Sequence, residues 1–257
     1  MAISGINGNS MQNIYGQLSS GKRINKAADG AAEMAIIQKE KAQINGMDAG
    51  SNNIQSGINA LNISDGALGQ VADYLQNIRE LSIKAGNGLL GADDRKFIQN
   101  QIDQYKQGIN DIVGTATYNE MHLLNGEKEN FDVVTDSNGG KIGVGLSGSL
   151  ADQLGINDYS VASGKFDMRV IDNALKTVNS MRSKVGSQTN ALTAAYNLNQ
   201  NTSYNMTSSM SKLEDLDIPK AISEKKKKQT LQEYAIMMQK KKMEEEEKRT
   251  TGLFKNM

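Results

Sequence analysis

The chain has 257 residues, balances 29 Lys and Arg against 29 Asp and Glu, and contains no cysteine. Zero net charge removes a global electrostatic footprint for nucleic acid, and the missing thiols remove disulfides, thiolate metal sites and cysteine nucleophiles. With 5% aromatic residues, no Trp and 13 Met, the apolar supply suits long helices packed through Leu, Ile, Val, Met and Ala rather than a compact core.

No run of 18 apolar residues occurs, so no membrane-spanning helix is expected. The opening MAISGINGNSMQ has neither a basic start nor an apolar stretch, so a Sec signal peptide is not expected either. Residues 1–28 carry a loose helical stripe through Ile3, Ile6, Met11, Ile14, Tyr15 and Leu18. Within it, GQLSSGKR nearly matches a phosphate-binding loop. Arg23 replaces the hydroxyl residue, though, and no strand precedes the motif, so a nucleotide site is not expected.

One helix is predicted from Gly30 to Gly86, about 80 Å long at 1.5 Å per residue, with possible kinks near Gly46–Gly50 or Ser64–Gly66. Met47, Ile54, Leu61, Leu68 and Leu75 recur every seventh residue, and Val71 and Ile78 fill the companion offset. That a/d seam requires other long helices beside it. Gly86-Asn87-Gly88 is a helix stop. A second helix starts at Asp93-Asp94, where the helix dipole favours negative charge, and turns Ile98, Ile102, Tyr105, Ile109 and Ile112 back onto the first.

Between 115 and 164 the pattern changes. Residues 131–135 and 141–146 flank Ser137-Asn138-Gly139-Gly140, a β-hairpin signal. A short helix is predicted around Ser149–Leu154, and the hairpin is expected to cap one end of the helices. From Phe166 to about Asp217 the seam returns at Ile171, Val178, Val185, Leu192, Met206 and Leu213, with polar Asn199 on the same lattice. Pro219 then separates that helix from a last segment, residues 220–251, with charge blocks around an apolar stripe of Leu231, Tyr234, Ala235, Met237, Met238 and Met243. The fold class expected is mainly α: an elongated antiparallel bundle of long, coiled-coil-like helices with a small distal β-hairpin. The division expected is a terminal inner segment, residues 1–28 and 218–257, and a helical rod, residues 29–217.

One histidine, His122, cannot build a zinc cluster, and no G-x-S-x-G elbow is present. No catalytic constellation, metal site or cofactor is expected, and an enzyme is not the reading.

Several segments are similar to bacterial flagellins. LSSGKRINKAADGAAEMAI (18–36) resembles the opening of that family's core. GALGQVADYLQNIRELSIKAGNG (66–88) and ADDRKFIQNQID (92–103) resemble its next two helices, TYNEMHLLNG (117–126) the subsequent loop, and SKLEDLD (211–217) its C-terminal return. The resemblance implies a short, core-only subunit of the extracellular flagellar filament. It would be exported without a cleaved Sec signal through the flagellar type III apparatus and would polymerise with itself. It also implies contacts with an export chaperone, the filament cap and junction proteins. The segment before LSSG is shorter than the family usually has, and the C-terminal segment is far more charged than the usual Gln, Ala and Leu-rich ending. Gln76, Arg79, Glu80 and Leu81 match the family's surface for an animal innate-immune receptor. Asn77 and Gly108 stand where a basic and an acidic residue are common, which implies weak or altered signalling. The alternatives are a hook–filament junction protein, disfavoured by Ala27-Ala28-Asp29-Gly30 in place of a proline-containing continuation, and a secreted coiled-coil adaptor that does not polymerise.

Overall fold

The computed structural model describes residues 3–128 and 130–254. Five helices account for most of them: α1 (Ile3–Ser20), α2 (Ala31–Ala85), α3 (Ala92–Thr115), α4 (Arg169–Glu214) and α5 (Ile218–Phe254). Two antiparallel hairpins are added by β1 (Thr117–Tyr118) with β2 (Met121–His122), and by β3 (Asn130–Val134) with β4 (Lys141–Gly145). The mainly helical class and the predicted hairpin are therefore what the chain adopts. It divides into two compact units, one of residues 1–42 with 205–257, the other of residues 43–204. Both expected terminal segments fall in the first unit.

In the second unit, α2 and α4 run antiparallel. Arg79 meets Asp172, Asp65 meets Arg182, and Asp48 meets Ser203, so positions further back along α2 meet positions further forward along α4, 31 residues on each helix from the first pair to the last and with the middle pair one turn out of step. These ion pairs are half exposed and worth about 0–1 kcal/mol each; they mark the register more than they hold it. The seam between them holds it. Ile54, Leu61, Leu68, Val71, Leu75, Ile78, Ile171, Val178 and Leu192 are fully buried, as are Ile102 and Ile109 of α3. Tyr105 of α3 tilts against Tyr74 of α2 with centroids 5.4 Å apart, and Gly108 leaves the space that the Tyr74 ring fills.

The β3–β4 hairpin does not cap the helices; it lies along α2. Val133 packs at Gly57, the Val134 carbonyl accepts from Asn53 Nδ2 at 3.2 Å, Thr135 sits on Gly50 and Ser137 on Gly46. Each contact is about one helical turn from the next. The glycines predicted as kinks are instead seats, since a Cβ at Gly50 would overlap the Thr135 carbonyl. Asn199, the polar break in the α4 seam, is buried for the same reason: its Nδ2 donates to that carbonyl at 2.5 Å. Ser64 also lies within the continuous helix, its buried hydroxyl donating to the Ala60 carbonyl one turn back.

No helix forms at Ser149–Leu154. A single turn, Leu154 N–H to the Leu150 carbonyl, is closed by Gly155 at a φ of +70°. The connector that contains it is held by the polar side of α3: Asn110 Oδ1 accepts from the Ala151 N–H, Lys106 Nζ donates to the carbonyls of Asn157 and Tyr159, and Gln99 Oε1 accepts from the Val161 N–H. These side chains supply the ladder that a loop lacks.

Gly50→Ala is expected to unseat the hairpin and lower unfolding stability by about 1–3 kcal/mol. Gly66→Ala, with nothing within 4 Å of its Cβ, is expected to raise it by about 0.5–1 kcal/mol through helix propensity. Urea denaturation of the two variants measures the contrast.

Candidate assembly surfaces

The first unit is built around the place where the end of α1 meets the end of α4. α1 stops at Ser20 because Gly21 turns into the left-handed region at a φ of +68°. The chain then pairs with the end of α4. Arg23 N–H donates to the Glu214 carbonyl at 2.6 Å, Leu216 N–H donates to the Gly21 carbonyl at 2.9 Å, and Arg23 Nη2 reaches the Leu213 carbonyl at 2.7 Å. The last carbonyls of α4, which no helix can satisfy itself, are thus capped by the segment that resembles a phosphate loop. Lys22 Nζ adds an ion pair to Glu214 Oε1 at 2.5 Å, with the carboxylate side chain 10% exposed. Gly16–Ser20 of GQLSSGKR are the end of helix α1 rather than a loop after a strand, so the phosphate-loop geometry is absent.

Beyond this junction, Asp217 caps α5 by accepting from the Lys220 N–H at 3.1 Å, with Pro219 in the first turn. The helix then buries very little. From Ile218 to Arg249 only Ala221 is buried, whereas Leu231, Tyr234, Met238, Ile236, Met237 and Met243 are each about 60% exposed. At 100° per residue, Leu231, Tyr234 and Met238 share one stripe; Ile218, Ile222, Ile236 and Met243 share another on the opposite side. Half-buried Lys225 shares the azimuth of Met243 in that second stripe and faces α1, its ammonium 4.3 Å from the Tyr15 ring centroid.

The other residues singled out from the sequence separate by burial. In the second unit Ile54, Leu61, Leu68, Leu75, Ile171, Val178, Val185 and Leu192 are buried, and Met47 is half-buried. Met206 and Leu213, in the first unit, are half-buried. Gln76, Arg79 and Glu80 are exposed on α2 and Leu81 is half-buried. Arg79 is engaged with Asp172 at 2.8 Å and Glu80 with Lys84 at 3.0 Å. Asp65 holds the Arg182 guanidinium above its ordinary pKa by accepting its hydrogen bond. His122 is an exposed residue of β2. Among the described residues no group of three or more His, Cys, Asp or Glu could hold a metal ion, and no helix is long and apolar enough to cross a membrane. Sequence reasoning missed the polar side of α3 and the second α5 stripe; only the latter could have been found, by plotting the helix azimuths.

Residues 1–129 match the bacterial flagellin N-terminal helical region, and residues 168–243 the bacterial flagellin C-terminal helical region. The chain belongs to the bacterial flagellin family. It is 33% identical to the flagellin of Halalkalibacterium halodurans over 229 residues, covering 86% of this chain and 83% of that one. It is 32% identical to the flagellin of Bacillus subtilis over 263 residues, covering 86% and 85%. The crystal structure of Bacillus cereus flagellin superposes with a TM-score of 0.52 at 23% identity, over 57% of this chain and 88% of that one, a likeness of fold. As a flagellin, the chain is a structural subunit that polymerises into the bacterial flagellar filament for motility.

Burial separates two kinds of apolar residue in this flagellin. Leu68→Ala is expected to lower monomer stability by about 2–5 kcal/mol, and Leu231→Ala to stay within about 0.5 kcal/mol of the parent. Chemical denaturation of dilute monomer distinguishes the two.

Proposed function

We propose that this flagellin assembles through its terminal segment, residues 1–28 and 218–257. The observation that carries the reading is α5: one buried residue between Ile218 and Arg249, and apolar stripes left exposed on two sides. Each exposed large side chain that becomes fully buried contributes about 1.5–3 kcal/mol, so a neighbour covering Leu231, Tyr234 and Met238 supplies what the monomer lacks. Identical subunits joined by heterologous contacts that do not close give an open helical polymer. In this reading the second unit folds on its own seam, and the terminal segment completes its packing only among sister copies.

The extracellular location, export without a cleaved Sec signal, and contacts with an export chaperone, the filament cap and junction proteins belong to the same proposal and rest on family membership. Recognition by the innate-immune receptor through Gln76, Arg79, Glu80 and Leu81 is proposed as weak or altered. Asn77 supplies no charge, and Arg79 is already bonded to Asp172. An acidic residue at Gly108 would need Tyr74 to move, because a Cβ there meets its ring at 2.6 Å.

Replacing Leu231, Tyr234 and Met238 together by Asp is expected to abolish filament growth from seeds, seen by electron microscopy, with monomer unfolding unchanged. Filaments at normal yield would overturn the assembly role of that stripe. On receptor-expressing cells the parent protein is expected to signal weakly and Asn77→Arg more strongly; equal signalling would remove Asn77 as the cause.

A further inference from the structure

An asparagine followed by glycine carries its own means of modification. The glycine nitrogen, with no Cβ beside it, reaches the side-chain carbonyl carbon of the asparagine and closes a five-membered imide. Five such pairs occur, at Asn7, Asn45, Asn87, Asn125 and Asn138. The fold treats them differently. Asn7 and Asn45 lie inside α1 and α2, where the helical ladder fixes the backbone that ring closure must twist. The Asn87 side-chain oxygen accepts from the Leu89 N–H at 3.0 Å, and its carbonyl accepts from Leu90 and Arg95. Half-buried Asn125 is held in the same way. Its Oδ1 accepts from the Glu127 N–H at 3.0 Å, its carbonyl accepts from Gln153 Nε2 at 2.9 Å, and Gln153 also fills the space beside Gly126. Each of these four must break hydrogen bonds before it reacts.

Asn138 is held differently. It is exposed in the turn between β3 and β4, and only its backbone is engaged, the N–H donating to Asp136 Oδ1 at 2.7 Å. None of the described residues bonds its side-chain amide. Nothing lies within 4 Å of the position that a Gly139 Cβ would take, so the ring and the water that opens it both have room. The Gly139 N–H reaches the Asp136 carbonyl at 3.3 Å, the longest hydrogen bond of the turn.

We propose that Asn138–Gly139 is a self-modification site that converts first in the folded chain and loosens the seated hairpin. The Gly139 nitrogen loses its proton to solvent and bonds to Asn138 Cγ. The bond from Cγ to the amide nitrogen breaks, and ammonia leaves. Water then opens the imide at either carbonyl, giving aspartate or isoaspartate at position 138. The isoaspartate product routes the main chain through the side chain, which lengthens it by one carbon, about 1.5 Å. The turn has no slack for it. The Thr135 N–H and hydroxyl both donate to the Gly140 carbonyl, Asn199 holds the Thr135 carbonyl, and Ser137 sits on Gly46.

Native and urea-unfolded samples of the full chain, aged together in mildly alkaline buffer and mapped by mass spectrometry, test the site. Native Asn138 is expected to convert about two- to tenfold faster than Asn87 or Asn125, the factor for one hydrogen bond of about 0.5–1.5 kcal/mol. In urea the three are expected to converge. Native Asn138 that stays unconverted or reacts no faster than the other two, or a spread that persists in urea, overturns the assignment.

Hydrogen exchange tests the loosening. The Thr135 amide is expected to exchange about tenfold faster in aged parent chain enriched in isoaspartate than in fresh chain. Fresh Asn138→Asp, which has the charge without the extra carbon, is expected to keep the fresh rate. So is aged Asn138→Gln, whose longer side chain closes a six-membered ring far more slowly. Unchanged Thr135 exchange in the isoaspartate fraction, or equal acceleration in aged Asn138→Gln, overturns the effect on the hairpin.

Discussion

Two helices that run in opposite directions stay in register only if each offers apolar side chains at the same interval. In this flagellin the interval is seven residues on both α2 and α4. Every lattice position from Ile54 to Leu75 on one helix and from Ile171 to Leu192 on the other is buried. A slip would remove knobs from holes along the whole length at once, so the seam is cooperative in a way that the scattered surface ion pairs are not. The hairpin, the connector and α3 are all fitted to surfaces that this pairing creates. Gly57, Gly50 and Gly46 accept the hairpin on α2, and Asn199 secures its turn from α4.

The first unit obeys a different rule. Its buried apolar residues, among those described, are Ile14, Ile24, Ile37 and Ala221, and its best-defined feature is a set of main-chain bonds between Gly21–Arg23 and Leu213–Leu216. Hydrogen bonds of that kind orient two segments and contribute only about 0.5–1.5 kcal/mol each. The unit therefore specifies where α1 ends and α5 starts without enclosing them. A protein that ended its life as a monomer would gain from covering Leu231 and Tyr234; one that becomes part of a larger body needs them uncovered first.

The helices and seams were legible because heptad spacing is a local property that any window of the chain reveals. The hairpin was legible from Ser137-Asn138-Gly139-Gly140 and its flanking apolar runs. What could not be read were relations between distant residues. Gly46 and Gly50 look like helix breakers in isolation, and only the arrival of Thr135 and Ser137 shows that they are vacant space. Gln99, Lys106 and Asn110 look like solvated residues of α3 until the connector, some 40–60 residues later, places its backbone against them. Residues 149–154 have a helix-like composition, but tertiary contacts took their backbone groups first. Of the proposed assembly surface, the stripe through Leu231, Tyr234 and Met238 was visible in the sequence, whereas the extent of its exposure needed the packed chain.

The bonds between Gly21–Arg23 and Leu213–Leu216 close a loop of some 190 residues. A ribosome delivers the second partner some 190 residues after the first. Until then the capping edge at Arg23 has nothing to cap, and long-range closure of this kind is slow because chain entropy opposes it. The topology thus acts as a clock. The junction from which α5 starts therefore cannot form until residues 213–216 exist, so the helix that leaves Leu231, Tyr234 and Met238 uncovered is anchored only after the long seam of α2 and α4 has been made.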